Sequence, residues 1–221
     1  MRNLILIIIL FLFMTGCNQN NQQKVSDKQD TSEQQKDTLV NTAINKKSDT
    51  IAIEKIDTLL LSLSTDILQY LKTKNFKQLA TFIHPDGLRF SPYGYVDTAH
   101  DQKLSATQLV GLSQSQKKIL WGRFDGTGDP INLSVGKYFD KFVYDVNFLS
   151  AEKRSVNKTL STGNSLKNLS SIYPGYDFTE FYFPGFNPKY EGMDWKALRL
   201  VFKKENEKYY LVAIIHDQWT I

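Results

Sequence analysis

The chain has 221 residues, 41% of them hydrophobic and 13% aromatic, which supplies enough apolar material for a core and excludes an intrinsically disordered protein. Its 27 Lys+Arg against 23 Asp+Glu leave a formal net charge of +4, and without a basic stripe this small excess excludes a nucleic-acid binder. The only cysteine is Cys17, so the sequence offers the folded part no disulfide, zinc-thiolate cluster or thiol nucleophile.

Arg2 precedes an unbroken apolar run from Leu4 to Phe13, which has the length of a signal-peptide core and is too short to span a bilayer. The following Met14-Thr15-Gly16-Cys17 resembles the lipobox of bacterial lipoproteins. That resemblance implies that residues 1–16 are a cleaved signal peptide and that Cys17 is acylated as the new N-terminus. Two or three acyl chains, at about 0.8 kcal/mol per buried methylene, anchor stably where one is marginal. The implied location is the bacterial cell envelope, facing the periplasm or the exterior, with the membrane as a partner through the lipid on Cys17.

From Asn18 to about Thr50 there is no aromatic residue and Gln, Asn, Lys, Asp, Ser and Thr dominate. Such a stretch buries too little apolar surface to offset its ordering entropy. Residues 17–51 therefore read as a flexible tether, with a random-coil reach of roughly 30 Å.

Residues 52–221 read as a single globular domain. Ile53, Ile56, Leu60, Leu63, Ile67 and Leu71 recur at steps of three and four, which predicts a helix of about five turns. Asn75 is placed to cap a short second helix carrying Phe76 and Leu79, and His84-Pro85-Asp86-Gly87 reads as a turn. Strands are expected at Leu88 to Ser91 and near Tyr95 to Asp97, then a capping box at Ser105 to Gln108 opens another helix.

Further along, Ile119 to Phe124 and Ile131 to Leu133 read as a hairpin closed by Asp125 to Pro130. A helix is expected to start at Ser134, with Val135, Tyr138, Phe139, Phe142 and Val143 facing inward, and a short one at Ser165 to Ile172. Tyr176 to Phe183, Trp195 to Lys203 and Lys208 to His216 then look like three long strands of an antiparallel meander, the last two joined by a tight turn at Glu205 to Glu207.

Helices first and strands last argue for an α+β fold. The order resembles the NTF2-like superfamily, a cystatin-like α+β cone in which an N-terminal helix packs on a curved antiparallel sheet, here with extra helices. Its most specific stretches are Phe76 to Pro85 and the closing strand ending in His216-Asp217-Gln218-Trp219-Thr220-Ile221. Both also resemble segments of small bacterial lipoproteins with no assigned activity. The fold hosts enzymes and binding modules alike, so it implies no single function.

Chemistry-bearing candidates are few. His84 with Asp86 and His216 with Asp217 pair an imidazole with a carboxylate, as a general base needs. On a strand, however, His216 and Asp217 point to opposite faces. Asp125-Gly126-Thr127-Gly128-Asp129 begins like a calcium loop, but Pro130 and Gly136 stand where that motif needs Gly and Glu, so a hairpin turn is the reading and no metal is assigned. Motifs for serine nucleophiles, phosphate loops and zinc proteases are absent, and nothing implies a cofactor.

Aromatic residues near strand ends suggest a concave ligand site instead. Its expected members are Tyr93, Trp121, Tyr182, Trp195 and Trp219, together with Arg89 and Arg199, which interrupt apolar strand segments and are expected to face solvent or an acidic partner. The leading reading is a lipid-anchored domain binding a small molecule, glycan or envelope protein. The alternatives are an acid–base enzyme with an aromatic-lined pocket and a structural envelope lipoprotein.

Overall fold

A long helix, α1 (Gln34–Lys72), opens the computed structural model, which describes residues 34–161, 163 and 166–220, with side chains from Ile53 onward. The segment expected to be a signal peptide, the stretch resembling a lipobox and Cys17 lie outside the described residues. Contacts divide the chain into two units, Met1–Lys47 and Ser48–Ile221, and the sheet belongs wholly to the second. Because α1 begins at Gln34, helix runs into the stretch read as a tether. Of the predicted apolar stripe, Leu60, Ile67 and Leu71 are buried and Leu63 is partly buried, while Ile53 and Ile56 stay exposed. Periodicity marks which face of a helix is apolar, not how far along it the packing extends.

After α2 (Phe76–Ala80) come β1 (Leu88–Ser91), β2 (Gln102–Leu104), α3 (Ala106–Ser113), β3 (Ile119–Arg123), β4 (Pro130–Leu133), α4 (Val135–Phe142) and β5 (Lys153–Val156). The chain ends with α5 (Leu169–Ile172), β6 (Asp177–Phe183), β7 (Lys196–Glu205) and β8 (Lys208–Gln218). Local chemistry explains most boundaries. Asn75 caps α2 by accepting the Gln78 N–H, and Ser105 and Gln108 form the reciprocal capping box of α3. Asn206 and Glu207 both adopt positive φ, at 47° and 61°, as a two-residue hairpin loop requires.

The fold is α+β with a six-stranded sheet in the order β2-β1-β8-β7-β6-β5 and a separate β3-β4 hairpin. The β6-β7-β8 meander is antiparallel as predicted, but β1 runs parallel to β8. The sheet is therefore mixed rather than antiparallel throughout. β2 and β5 are short polar strands that alternation alone does not reveal.

The predicted strand near Tyr95 to Asp97 is instead irregular. The Asn168 side chain takes both backbone groups of Val96, accepting its N–H at 2.8 Å and donating to its carbonyl at 3.0 Å. Hydrogen bonds that a neighbouring strand would have supplied come from one amide.

Alternation along β6 to β8 divides the sheet into two faces. Phe181, Leu198, Leu200 and Ile214 join α1, α3 and α4 in the main core. On the opposite face Val201, Ala213 and Ile215 pack with Val96 and α5. Val201 pairs with Ala213 and Phe202 with Leu211, so Val212 is an extra residue, a bulge that keeps both flanking segments in phase. The main core is rich in rings, with Trp121 stacked on Tyr138 at 3.9 Å and Phe90 edge-on to Trp121 at 5.4 Å.

Candidate functional site

A cleft of about 470 Å³ lies between the segment 92–101 that follows β1 and the β3-β4 hairpin. Its first wall departs from the sheet because Pro92 cannot donate to a strand neighbour. Gly94 then passes against the Asp217 carboxylate so closely that a Cβ would lie 2.7 Å from it, which admits only glycine. Tyr93 and Tyr95 line the cleft from this wall. Asp97 next folds an Asx turn, accepting the N–H groups of Ala99 and His100 at 3.0 and 3.2 Å, while its other oxygen meets His100 Nδ1 at 2.6 Å.

That turn delivers Asp101 to the floor of the cleft. Its Oδ2 accepts the Ser91 hydroxyl at 2.5 Å and the Asp97 N–H at 2.9 Å. Oδ1 faces Gly122, whose absent Cβ would sit 3.6 Å from it and 3.5 Å from Pro92. Gly122 itself has φ +135°, so the space before the carboxylate is kept by a residue that only glycine suits.

Burial dominates the ionisation of Asp101 and pushes it up to about 6, against the opposing hydrogen bonds from Ser91 and the Asp97 N–H. Behind it, Tyr138 is fully buried and its hydroxyl has no hydrogen-bond partner among the described residues. Burial raises that phenol well above its ordinary value, and the charge of Asp101 adds to the rise. Tyr93 is likewise raised by burial. At the rim, burial works against ionisation of Asp97, but the His100 hydrogen bond and the Ala99 N–H hold its carboxyl below the usual range.

The cleft therefore combines a desolvated carboxylate, two further acids at Asp97 and Asp125, and the rings of Tyr93, Tyr95 and Phe124. Carboxylates at a partly dry floor accept hydrogen bonds or a positive charge, and ring faces pack on the apolar side of such a ligand. An acid titrating near 6 also lies close enough to neutrality to exchange a proton. Among the described residues, no group of three or more His, Cys, Asp or Glu is arranged to hold a metal. Asp125 to Asp129 instead close the hairpin, where the Asp129 N–H donates to Thr127 Oγ1 at 3.2 Å.

The seven residues expected to bind ligand do not converge on one site. Only Tyr93 lines this cleft. Trp121 is a core residue with no exposure, and its indole N–H donates to the Leu133 carbonyl at 2.9 Å. Tyr182, Trp195 and Trp219 line a different cavity of about 560 Å³, and Arg89 borders a third of about 250 Å³. Solvent exposure fails for Arg199, which is 1% exposed. Its guanidinium joins Glu180 and, at 2.9 Å, Asp217, and it donates to Ser161 Oγ at 2.5 Å. It is the centre of a buried ionic cluster on the sheet's outer face, not a ligand contact.

The histidine pairs resolve in different ways. His216 and Asp217 do point to opposite faces: the ring meets Phe142 edge-on at 6.1 Å, whereas Asp217 joins Arg199. His216 Nδ1 lies 3.3 Å from the Pro92 carbonyl and Nε2 lies 3.3 Å from Asp145, which also pairs with Lys196. Burial opposes the charge of Asp145, yet His216 and Lys196 hold it low. With no exposure, His216 is an internal brace rather than a general base. His84 accepts the Asp86 N–H at Nδ1 at 3.1 Å and places Nε2 3.2 Å from Glu205, so Asp86 orients it through its backbone.

Sequence reasoning missed Asp101. Its only signal is the run Asp97-Thr98-Ala99-His100-Asp101, in which two acids flank a histidine just after a segment read as a strand. Comparison with known proteins finds no family model that matches this chain, no similar curated protein and no similar solved structure. The fold and site define an α+β domain with an acidic, aromatic-walled cleft.

Proposed function

We propose that this chain is a lipid-anchored protein of the bacterial cell envelope whose domain binds a small hydroxyl-rich or cationic ligand in the cleft above Asp101. The observation that carries the reading is the desolvated carboxylate of Asp101, held by Ser91 beneath an open cleft with tyrosines on one wall. The anchor rests on the apolar run and lipobox ending at Cys17, and an NTF2-like cone elaborated by extra helices is the fold we infer for the domain. Ligands that donate hydrogen bonds to a carboxylate and offer a flat apolar side to rings fit these walls.

The titration of Asp101 near 6 favours one second reading, an acid–base enzyme using this carboxyl as proton donor or acceptor in place of either histidine. A thermal-shift panel of neutral sugars, amino sugars and small amines on the full chain, alongside Asp101→Asn, tests both. A ligand that raises Tm in the parent and not in the variant supports binding, because only native-state ligands stabilise. Chemical turnover of that ligand, lost in the same variant, supports the enzyme, and a panel that shifts neither protein contradicts the proposal.

A further inference from the structure

On the outer face of the sheet, Arg89 of β1 and Lys103 of β2 are direct cross-strand partners. Like charges in that relation repel, and sheets normally avoid them. Both border the cavity of about 250 Å³, with His84, Lys203, Tyr173 and Tyr176 around it. Lys103 has no ion pair among the described residues, and its stem crosses Gly87, where a Cβ would lie 3.5 Å from Lys103 Cε and 2.9 Å from the Leu104 carbonyl.

Arg89 is fixed rather than free. Its Nη1 donates to the carbonyls of Asp101 at 3.1 Å and Thr98 at 3.4 Å, and Tyr173 shares a side-chain hydrogen bond with it. Of the five donors of a guanidinium, some remain for another acceptor. Of the acids nearby, Asp86 is 73% exposed at the rim, Glu205 is engaged by Lys203 and His84, and Asp101 feels the charge of Arg89 but lines the other cleft, so no carboxylate pairs with Lys103 among the described residues.

We infer that this cavity is a second site, distinct from the cleft above Asp101, that takes a phosphate-sized oxyanion between Arg89 and Lys103. A planar donor fork held in place beside an ammonium on a long aliphatic stem is an arrangement that recognises phosphate or carboxylate oxygens. The bound anion removes the repulsion that the strand register builds in. Because Arg89 also holds the backbone of 98–101, occupation bears on the wall of the first cleft.

Calorimetric titration of the full chain with inorganic phosphate at constant ionic strength tests the site. The expected result is saturable binding that Lys103→Gln weakens about tenfold, the worth of one charge-assisted contact, and that Lys118→Gln, an equal charge change elsewhere, leaves within about twofold. Lys103 anchors no backbone in the structure, so its variant reports on the site without a folding defect. Displacement of phosphate by soluble glycerol phosphate or by phosphatidylglycerol vesicles supports the site and tells a free anion from a headgroup. Absence of saturable binding, or equal loss in the two lysine variants, overturns it.

Discussion

Ser91 and Asp101 are joined by a 2.5 Å hydrogen bond from hydroxyl to carboxylate, across the gap between the end of β1 and the start of β2. This contact ties the cleft floor to the sheet and gives the carboxyl its orientation. A carboxyl raised by burial, against hydrogen bonds from one hydroxyl and one N–H, makes the stability of the fold depend on pH.

In the unfolded chain Asp101 titrates near 3.8, and in the fold near 6. The folded state therefore holds the proton more tightly, and the stability from this group is full below about pH 4, is lost as pH rises from about 4 to 6, and is absent above. At about 1.4 kcal/mol per unit, discounted because Asp101 is partly open to solvent, the loss is about 1–2 kcal/mol. Asp101→Asn mimics the neutral acid and is expected to flatten that slope and be more stable at pH 8 by a similar amount. Urea denaturation at pH 4, 6 and 8 measures it.

Gly122→Ala places a methyl between Pro92 and Asp101 Oδ1 and strains a backbone at φ +135°. The expected outcome is a loss of about 1–3 kcal/mol of stability and at least tenfold weaker binding of any ligand found in the thermal-shift panel. Titration of that ligand into native Gly122→Ala protein reads the second effect apart from the first.

Removing Arg199 leaves Glu180 and Asp217, both without exposure, with their strongest counter-charge gone. Arg199→Met is expected to destabilise the domain by about 3–5 kcal/mol, and adding Glu180→Gln recovers part of it, because an uncompensated buried charge costs more than a neutral isostere. Chemical denaturation of the single and double variants gives the coupling.

Trp121→Ala and Trp219→Ala are expected to differ sharply. Trp121 is stacked in the core, so its loss costs about 3–5 kcal/mol. Trp219 is 37% exposed, and its loss costs less than about 1 kcal/mol. Melting of both variants under one buffer checks the ordering.

The legible parts of this protein were those in which neighbours along the chain decide the outcome. The Asn75 cap, the Ser105 capping box, the inward face of α4 and the closing meander all follow from short-range periodicity and turn chemistry. What stayed hidden was set by distant partners. Val96 is irregular because Asn168 takes its backbone groups, and Arg199 is buried because Glu180 and Asp217 lie beside it on neighbouring strands. Asp101 could not be singled out for the same reason. Its proton affinity comes from burial between two walls, against the hydrogen bonds from Ser91 and the Asp97 N–H, and alternation and capping signals carry no information about that enclosure.

The most direct test of the account is a carbon-13 NMR titration of the Asp101 side-chain carboxyl in the full chain. A midpoint near 6, moving higher still in Ser91→Ala as the hydrogen bond to the charged form is removed, is the predicted result. A midpoint in the ordinary carboxylate range near 3.8, unmoved by that substitution, would show a solvated floor and contradict the proposed site.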